Sequence, residues 1–313
     1  MTTFLRRLVR AVVVVLLATL LVSAMADLVP GDAAEVVAGE NASQEKVEQV
    51  RVQLGLDKPM IVRFVDWAGG AVTGDFGQSL ISGRSVGRMI LDALPATLSI
   101  TLLAALIGAA LGVTAGLVAG LRQGRLTDRL VTTASTLGIA MPGFWIGMIL
   151  VSVFALDLGW LPATGFRPLS EGVGTWLRHL ILPASALGIA MAAEVARQTR
   201  GGVVDVMEQS YIRTARVKGM SMAGLIRHHV VRNAAIPVVT VLGMQLGRLL
   251  GGVIVIEQVF GVAGLGTLAV NSVLRRDFPV LQTYVLITTI IVVGINLLVD
   301  SSYSWINPRT RSR

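Results

Sequence analysis

The chain has 313 residues, of which 53% are hydrophobic and only 15% charged, and its mean hydropathy is +0.72. This composition is too apolar for an ordinary soluble globular protein. Most of the chain is therefore expected to face lipid. The net charge of +8 does not indicate nucleic-acid binding, since the basic residues form no stripe with stacking aromatic residues. The chain has no cysteine, which excludes disulfides, thiolate metal ligands and cysteine nucleophiles.

The N-terminal residues 1–29 predict a first transmembrane helix. Arg6, Arg7 and Arg10 precede an uncharged run at 11–26, which is barely long enough to cross a hydrocarbon layer of about 30 Å. The run Ser23–Ala26 also resembles a signal-peptidase site, so cleavage of this helix stays open as an alternative.

Residues 30–95 are of mixed composition and predict an extracytoplasmic segment with two short helices, at about 44–54 and 60–67. Within it Gly83–Gly87 has the G-x-S-x-G spacing of a hydrolase nucleophile elbow. No strand pattern precedes the motif, and two of the three histidines lie on a segment predicted below to be cytosolic. A hydrolase that uses Ser85 as its nucleophile is therefore an alternative for which the sequence indicates no catalytic base.

The next two uncharged stretches predict the second and third spans, at 96–121 and 130–156. A short basic loop separates them. Four glycines of the second span fall at four-residue intervals and predict close helix packing: Gly108, Gly112, Gly116 and Gly120. In the third span Pro142 predicts a kink, because it leaves backbone groups that other helices or water must satisfy.

The fourth predicted span, 179–193, is the shortest, with fourteen uncharged residues between His179 and Glu194. Length alone would also fit a buried or re-entrant helix. The preceding segment 157–178 carries few positive charges and the following segment carries many, which places the two on opposite sides of the membrane and favours a span.

Residues 205–232 are too basic for lipid and predict an elbow of two short helices. The first, 211–218, ends at Gly219, which suits the left-handed position after a helix. Ser221 can cap the second helix. That helix is predicted to run until Pro237, with Leu225, Ile226, His229 and Val230 inward and Arg227 and Arg232 outward.

The fifth span, 233–256, contains two polar residues, Gln245 and Arg248, and a second glycine series, Gly243, Gly247 and Gly251. An intramembrane arginine is costly and should face the bundle interior or water. Three roles remain open for Arg248: it could snorkel to the membrane surface, pair with a neighbouring subunit or line a substrate path. A place on the path would favour substrates with a carboxylate.

The sixth span is predicted at 278–299, followed by a tail with Arg309, Arg311 and Arg313. With both termini, the 122–129 loop and the 197–232 segment in the cytosol, the cytosolic side holds 16 of the 27 Lys and Arg residues. The outer segments hold 10, although they are longer. The positive-inside rule therefore favours six spans with both termini cytosolic.

The segments Thr214–Met220 and Arg227–Pro237 resemble the cytosolic loop of binding-protein-dependent ABC importer permeases, above all the B-type permease of dipeptide, oligopeptide and nickel importers. The general signature of these permeases is a Glu-Ala-Ala triplet, a glycine four residues after the second alanine, and a later proline. This chain has Arg213, Thr214 and Ala215 as the triplet, then Gly219, and Pro237 lies later than usual. Both departures are usual in the peptide branch.

Three further stretches are similar to the same family. Gly74–Ser79 matches a Gly-Asp-x-Gly-x-Ser pattern that precedes the second span, and Gly159–Pro162 matches a Gly-Trp-Leu-Pro run. Glu257–Gly266 together with Asp277–Pro279 resembles the outer loop between the fifth and sixth spans, where a turn and a short outer helix are expected.

The resemblance implies an all-α, polytopic membrane protein with the type I ABC importer permease fold, located in the bacterial plasma (inner) membrane. It implies a first transmembrane helix at 1–29, an extracytoplasmic segment at 30–95 and a permease core at 96–313. In this family the elbow is a coupling helix that docks on an ATPase. The implied coupling residues are Tyr211, Arg213, Thr214, Ala215, Arg216, Lys218 and Gly219.

The implied partners are the lipid bilayer, a second, homologous permease that completes a heterodimer, two cytosolic ATPases and an external substrate-binding protein. The chain has no Walker A motif, no HExxH and no paired intramembrane carboxylates, so we predict neither catalytic nor metal-binding residues. No cofactor is expected on this chain, and ATP and Mg are expected in the partner ATPases.

The predicted function is therefore that of a non-catalytic permease subunit of a di- or oligopeptide importer. A permease for nickel or another small solute is an alternative within the same family. An ion-coupled secondary carrier is an alternative outside it, although the sequence shows neither an inverted repeat nor a midplane acid.

Overall fold

The computed structural model describes residues 2–28, 33–39, 42–53 and 55–306. These residues form α-helices joined by turns and short loops, and their only β-type pairing is an isolated bridge between Gln78 and Ser85. The predicted all-α class is confirmed. The tail arginines Arg309, Arg311 and Arg313, and with them the C-terminus predicted to be cytosolic, lie outside the described residues.

The chain divides into two compact units, and the first comprises Met1–Thr97 and Ala263–Val293. Its core is formed by Val86, Ile90 and Ala93, which pack with Leu265 and Val280. The helices of this unit are α1 (Thr2–Leu28), α2 (Ala33–Ala38), α3 (Gln44–Gln53), α4 (Met60–Thr73), the start of α5 (Val86–Leu121), α12 (Leu265–Arg275) and most of α13 (Phe278–Ile306).

The two short helices predicted in the extracytoplasmic segment correspond to α3 and α4. Helix α4 ends at Gly74, which has φ of +86° and so occupies the left-handed region that glycine tolerates. The short outer helix expected before the sixth span is α12. Its first N–H, on Leu265, donates to Thr97 Oγ1 at 2.8 Å, which satisfies one of the free donors at a helix start.

The second unit comprises Leu98–Val262 and Gly294–Arg313. Its central element is α8, which packs against α6, α7 and α11 and carries the unit's largest run of buried residues. The helices are the rest of α5, α6 (Leu126–Ala140), α7 (Gly143–Leu150) with a π-helical turn at Val151–Asp157, α8 (Val173–Met207), α9 (Ser210–Val217), α10 (Met222–Leu225), a π-helical turn at Ile226–Val230, α11 (Val231–Val259) and the end of α13.

The glycine series of α5 packs against α8. A Cβ added at Gly112 would lie 2.6 Å from Val195 Cβ, and one at Gly116 would lie 2.5 Å from the carbonyl oxygen of Ala196. The predicted close packing is thus confirmed here. The prediction for α11 is correct only for Gly243, which lies against Val299, because an added Cβ at Gly247 or Gly251 would meet nothing within 4 Å.

Two helices extend beyond the segments predicted for them. The helix that contains the fourth predicted span, 179–193, is longer than that span, because α8 continues through Glu194, Arg197 and Arg200 to Met207. The second elbow helix does not end at Pro237. It passes through a π-helical turn into α11, where Pro237 is an interior residue.

Among the described residues four helices are long and apolar enough to cross a membrane, namely α5, α8, the apolar part of α11 and the apolar part of α13. The pair α6 and α7, bent by 103° at Pro142, becomes a fifth if it forms one span, and the predicted kink is confirmed. The apolar part of α1, Val9–Met25, is shorter. The count of six spans with both termini cytosolic stays a prediction.

Candidate functional site

The basic elbow contains a sharp turn between α9 and α10. Gly219 has φ of +81°, and its N–H donates to the carbonyl of Arg216 at 2.9 Å. The N–H of Met220 donates to the carbonyl of Ala215 at 3.1 Å. This pair of bonds is the Schellman arrangement, which closes the C-terminus of a helix and needs a residue that accepts positive φ. The predicted role of Gly219 as the helix stop is confirmed.

Ser221 begins the second part of the elbow. Its side chain accepts a hydrogen bond from the N–H of Gly224 at 3.2 Å, and the predicted N-cap is confirmed. Leu225 and Val230 are buried and Arg227 is exposed, as predicted. The side chain of Arg232 lies outside the described residues.

The elbow is anchored by an apolar cluster at its base. Ile212 of α9 is fully buried, and it packs with elbow residues and with neighbours from two long helices. Ile212 is not among the residues predicted from the sequence, although its three-residue step to the half-buried Ala215 indicates an inward face. Since α8 and α11 both contribute to the cluster, the elbow is packed against both helices. The buried members are Val203 and Val206 of α8, Ile212, Leu225, Val230, and Ala234 of α11.

The remaining predicted coupling residues lie outward. Tyr211 is 42% exposed, and its ring lies 5.7 Å from that of His229. Ala215 is half-buried against the cluster, so it is the least accessible of the predicted set. The side chains of Arg213, Thr214, Arg216 and Lys218 are exposed, as is Gly219.

An apolar tip on the elbow was not predicted. Val217 is 89% exposed, and Met220 and Met222 are 41% and 49% exposed. Arg216 and Lys218 flank Val217 along the chain. Exposed apolar side chains with basic neighbours are typical of a protein-interaction surface.

A second contact holds the basic loop between α5 and α6 to α8. The guanidinium of Arg200 donates to both carboxylate oxygens of Asp128, with the Nη2 bond at 2.9 Å. The same carboxylate accepts the N–H of Gly124 at 2.9 Å. From the sequence alone, Arg200 is predicted only to be one of the cytosolic charges. The pair joins residues 72 positions apart, which no local pattern reveals.

The two predicted path residues, Gln245 and Arg248, line one cleft of about 280 Å³. Gln245 is 8% exposed, whereas Arg248 is exposed. Gly143 and Phe144 at the start of α7 contribute another wall. Apart from Gln245 and Arg248, the lining side chains are apolar. The structure thus brings the two residues together, and their role in transport stays a prediction.

Two family patterns match the chain. Residues 112–312 match the family described as binding-protein-dependent transport system inner membrane component, and residues 1–101 match the N-terminal region of binding-protein-dependent transport system membrane components.

Similar proteins cover almost the whole chain. The chain is 38% identical over 307 residues to a probable peptide ABC transporter permease protein of Sinorhizobium fredii, with 98% of each chain covered. It is 42% identical over 306 residues to the glutathione transport system permease protein of Escherichia coli K12, covering 98% of this chain and 97% of that protein. The fold also matches a structure of the MetNI methionine ABC transporter in an inward-facing conformation, with a TM-score of 0.58 and 15% identity over 70% of this chain and 96% of the other.

Proposed function

Since this chain belongs to the family of binding-protein-dependent transport system inner membrane components, it is a non-catalytic permease subunit of an ABC importer in the bacterial inner membrane, and we propose that its cargo is di- and oligopeptides. The relatives named for peptide or glutathione transport support this cargo, because they are 38% to 42% identical and are matched over nearly their full length. Glutathione is itself a small peptide. A permease for nickel or another small solute is the alternative within the family.

The elbow is the proposed coupling element, and its anchored base is the observation that carries the proposal. A lever must be stiff and joined to the parts it moves. The Schellman turn at Gly219 and the buried Ile212 provide the stiffness, and the shared cluster joins the elbow to α8 and α11. A push on the elbow would therefore move α8 and α11, which also form walls of the cleft with Gln245 and Arg248. Such a motion is the basis of alternating access.

The proposed partners follow from the family. A second permease completes the path as a heterodimer, two cytosolic ATPases bind ATP and Mg, and an external binding protein delivers the peptide. This chain itself is proposed to bind no cofactor. The outward residues Tyr211, Arg213, Thr214, Arg216 and Lys218 would form the ATPase-facing surface, with Gly219 setting the turn and Val217 inserted as the apolar tip.

Cross-linking tests this coupling surface directly, because a chain without cysteine accepts single-cysteine probes cleanly. We expect Val217→Cys to cross-link to an ATPase subunit of the assembled complex through a short bifunctional reagent. Val72→Cys is the matched control, because Val72 is also 89% exposed but lies on α4 in the predicted extracytoplasmic segment. Equal cross-linking at both positions, or none at Val217, would contradict the coupling role.

An uptake assay separates the importer from the ion-coupled carrier. We expect peptide uptake into proteoliposomes to stop when the ATPase subunits carry an inactivating Walker substitution. Uptake that continues and follows an imposed ion gradient would favour the carrier.

A further inference from the structure

The cleft beside α11 contains an amide side chain without a protein partner. Gln245 is 8% exposed, and no described residue forms a hydrogen bond with its side chain. An amide group that is largely shielded from bulk water and faces a cleft takes its hydrogen bonds from a ligand or from water in that cleft. Gln245 therefore marks the cleft as a place where a polar group is expected to bind.

Arg248 stands one turn further along the same helix. It lines the cleft, and no described residue accepts a hydrogen bond from its guanidinium. A guanidinium at membrane depth is stabilised by an anionic or acceptor group on its fork of N–H donors. The acid Glu194 on α8 is already bonded through both carboxylate oxygens to Arg197 at 2.8 Å.

The packing of α8 on α11 shows which residues of α8 lie level with these groups. Gly252 lies against Leu187, and Gly202 lies against Pro237, so the two helices run antiparallel. This register puts Gln245 level with Glu194, and Arg248 about one turn away, a rise of about 5 Å. The charges of Glu194 and Arg248 are close enough to interact, which offsets part of the cost of a cation within a membrane span.

Helix α7 adds further donors to the same cleft. It starts at Gly143, directly after the 103° bend, and Gly143 and Phe144 line the cleft. The N–H groups of the first residues of a helix have no acceptor within the helix, and its N-terminus carries a partial positive charge. Anions bind at such termini.

We propose that Arg248, Gln245 and the N-terminus of α7 form a carboxylate-binding subsite of the substrate path. Apart from the carbonyl of the Gln245 amide, these groups are hydrogen-bond donors, and together they match the two oxygens of a carboxylate. Apolar walls such as Leu187 and Leu249 suit the adjoining side chains of a peptide. The inference rests on the proposed peptide cargo and specifies which part of the peptide this chain binds.

Peptide pairs that differ only at the C-terminus test the subsite in the reconstituted complex with its binding protein and ATPases. Uptake of a tripeptide is compared with uptake of its C-terminal amide, in the natural chain and in Arg248→Gln. The binding protein is the same in both complexes, so a change in the acid-to-amide ratio reports on the permease. We expect Arg248→Gln to lower uptake of the acid by roughly 10- to 100-fold and to leave the amide nearly unchanged.

Gln245→Leu tests the subsite without removing a charge. If Arg248→Gln does not assemble, this variant decides whether the subsite exists. We expect this variant to lower the acid-to-amide ratio by roughly threefold to tenfold. Arg167→Gln is the control, because Arg167 forms only an exposed ion pair with Glu171. A peptide amide with a glutamate side chain shows whether a side-chain carboxylate also uses the subsite, in which case its uptake depends on Arg248.

The outcomes separate the two proposals. Equal loss of acid and amide uptake in Arg248→Gln and an unchanged ratio in Gln245→Leu would overturn the subsite and indicate a structural role for Arg248, such as pairing with the second permease. Absence of uptake of either peptide by the assembled natural complex would overturn the peptide cargo instead.

Discussion

The hydroxyl of Ser79 donates a hydrogen bond to the carboxylate of Asp277, which lies 198 residues further along the chain. The N–H of Leu80 donates to the second carboxylate oxygen at 3.0 Å. Ser79 ends the segment Gly74–Ser79 and Asp277 begins Asp277–Pro279, so two segments that resemble the family separately form one contact. Both side chains are at least 95% buried. These two motif residues, Ser79 and Asp277, are therefore explained by a buried contact within the first unit.

Asp277→Ala is expected to destabilise this unit. The substitution leaves the Ser79 hydroxyl and the Leu80 N–H without their acceptor, at a cost of about 1–3 kcal/mol for each buried group. We expect the melting temperature of the purified complex in detergent to fall by about 4–10 °C. Asp92→Ala is the control, since Asp92 forms an exposed ion pair with Arg84, and it should shift the melting temperature by about 1 °C or less. Equal shifts would contradict the structural role of Asp277.

Gly116→Ala is expected to disrupt the packing of α5 on α8. The new Cβ would lie 2.5 Å from a backbone oxygen and 2.6 Å from Thr199 Cβ, and a backbone atom cannot move aside alone. Overpacking of this kind costs about 1–3 kcal/mol, so we expect less assembled complex and a lower melting temperature. Gly294→Ala is the control, because nothing lies within 4 Å of its added Cβ. Normal assembly and stability of Gly116→Ala would show that α5 and α8 pack less closely than described.

Features set by local chemistry could be predicted from the sequence. The glycine interval on α5, the break at Pro142, the left-handed Gly219 and the cap at Ser221 each depend on residues within one or two turns. Gly247 and Gly251 show the limit of this reasoning, because the spacing indicates a close approach without showing whether this chain supplies the neighbouring helix.

Features set by distant contacts could not be predicted. The full length of α8 could not be predicted, because Glu194 and Arg197 are typical of a segment in water, whereas the two residues pair along the helix surface and the helix continues. The pairing of Asp128 with Arg200 leaves no periodic trace in the sequence. The spacing of Ile212 and Ala215 indicates a shared face, but the full burial of Ile212 depends on Val203 and Val206 of α8 and Ala234 of α11, which are distant in sequence or lie in other helices. The cleft was anticipated only through its two polar members, Gln245 and Arg248.

Gly219→Pro is expected to uncouple ATP hydrolysis from transport while the chain still inserts and assembles. Proline fixes φ near −65°, whereas Gly219 has φ of +81°, and proline removes the N–H that donates to Arg216. We expect substrate-stimulated ATPase activity of the reconstituted complex to fall by about tenfold or more, because a distorted elbow would no longer dock on the ATPase subunit as proposed.

Two substitutions control for this effect. Gly219→Asn should keep most of the stimulation, because asparagine tolerates the left-handed conformation. Gly201→Ala, at a helical glycine of α8 with nothing within 4 Å, should leave it unchanged. Unchanged stimulation in Gly219→Pro would reject the lever role of the elbow.

The topology is expected to place both termini, and the loop between α5 and α6, in the cytosol. The excess of Lys and Arg on these segments favours this orientation, because positively charged flanks are retained on the cytoplasmic side. Single cysteines test it through a membrane-impermeant maleimide applied to intact spheroplasts. We expect Leu274→Cys, which replaces a side chain 75% exposed on α12, to react before permeabilisation. Three positions should react only after permeabilisation: Leu126→Cys, Thr3→Cys and Ser312→Cys. Labelling of Thr3→Cys alone before permeabilisation would reduce the number of spans to five.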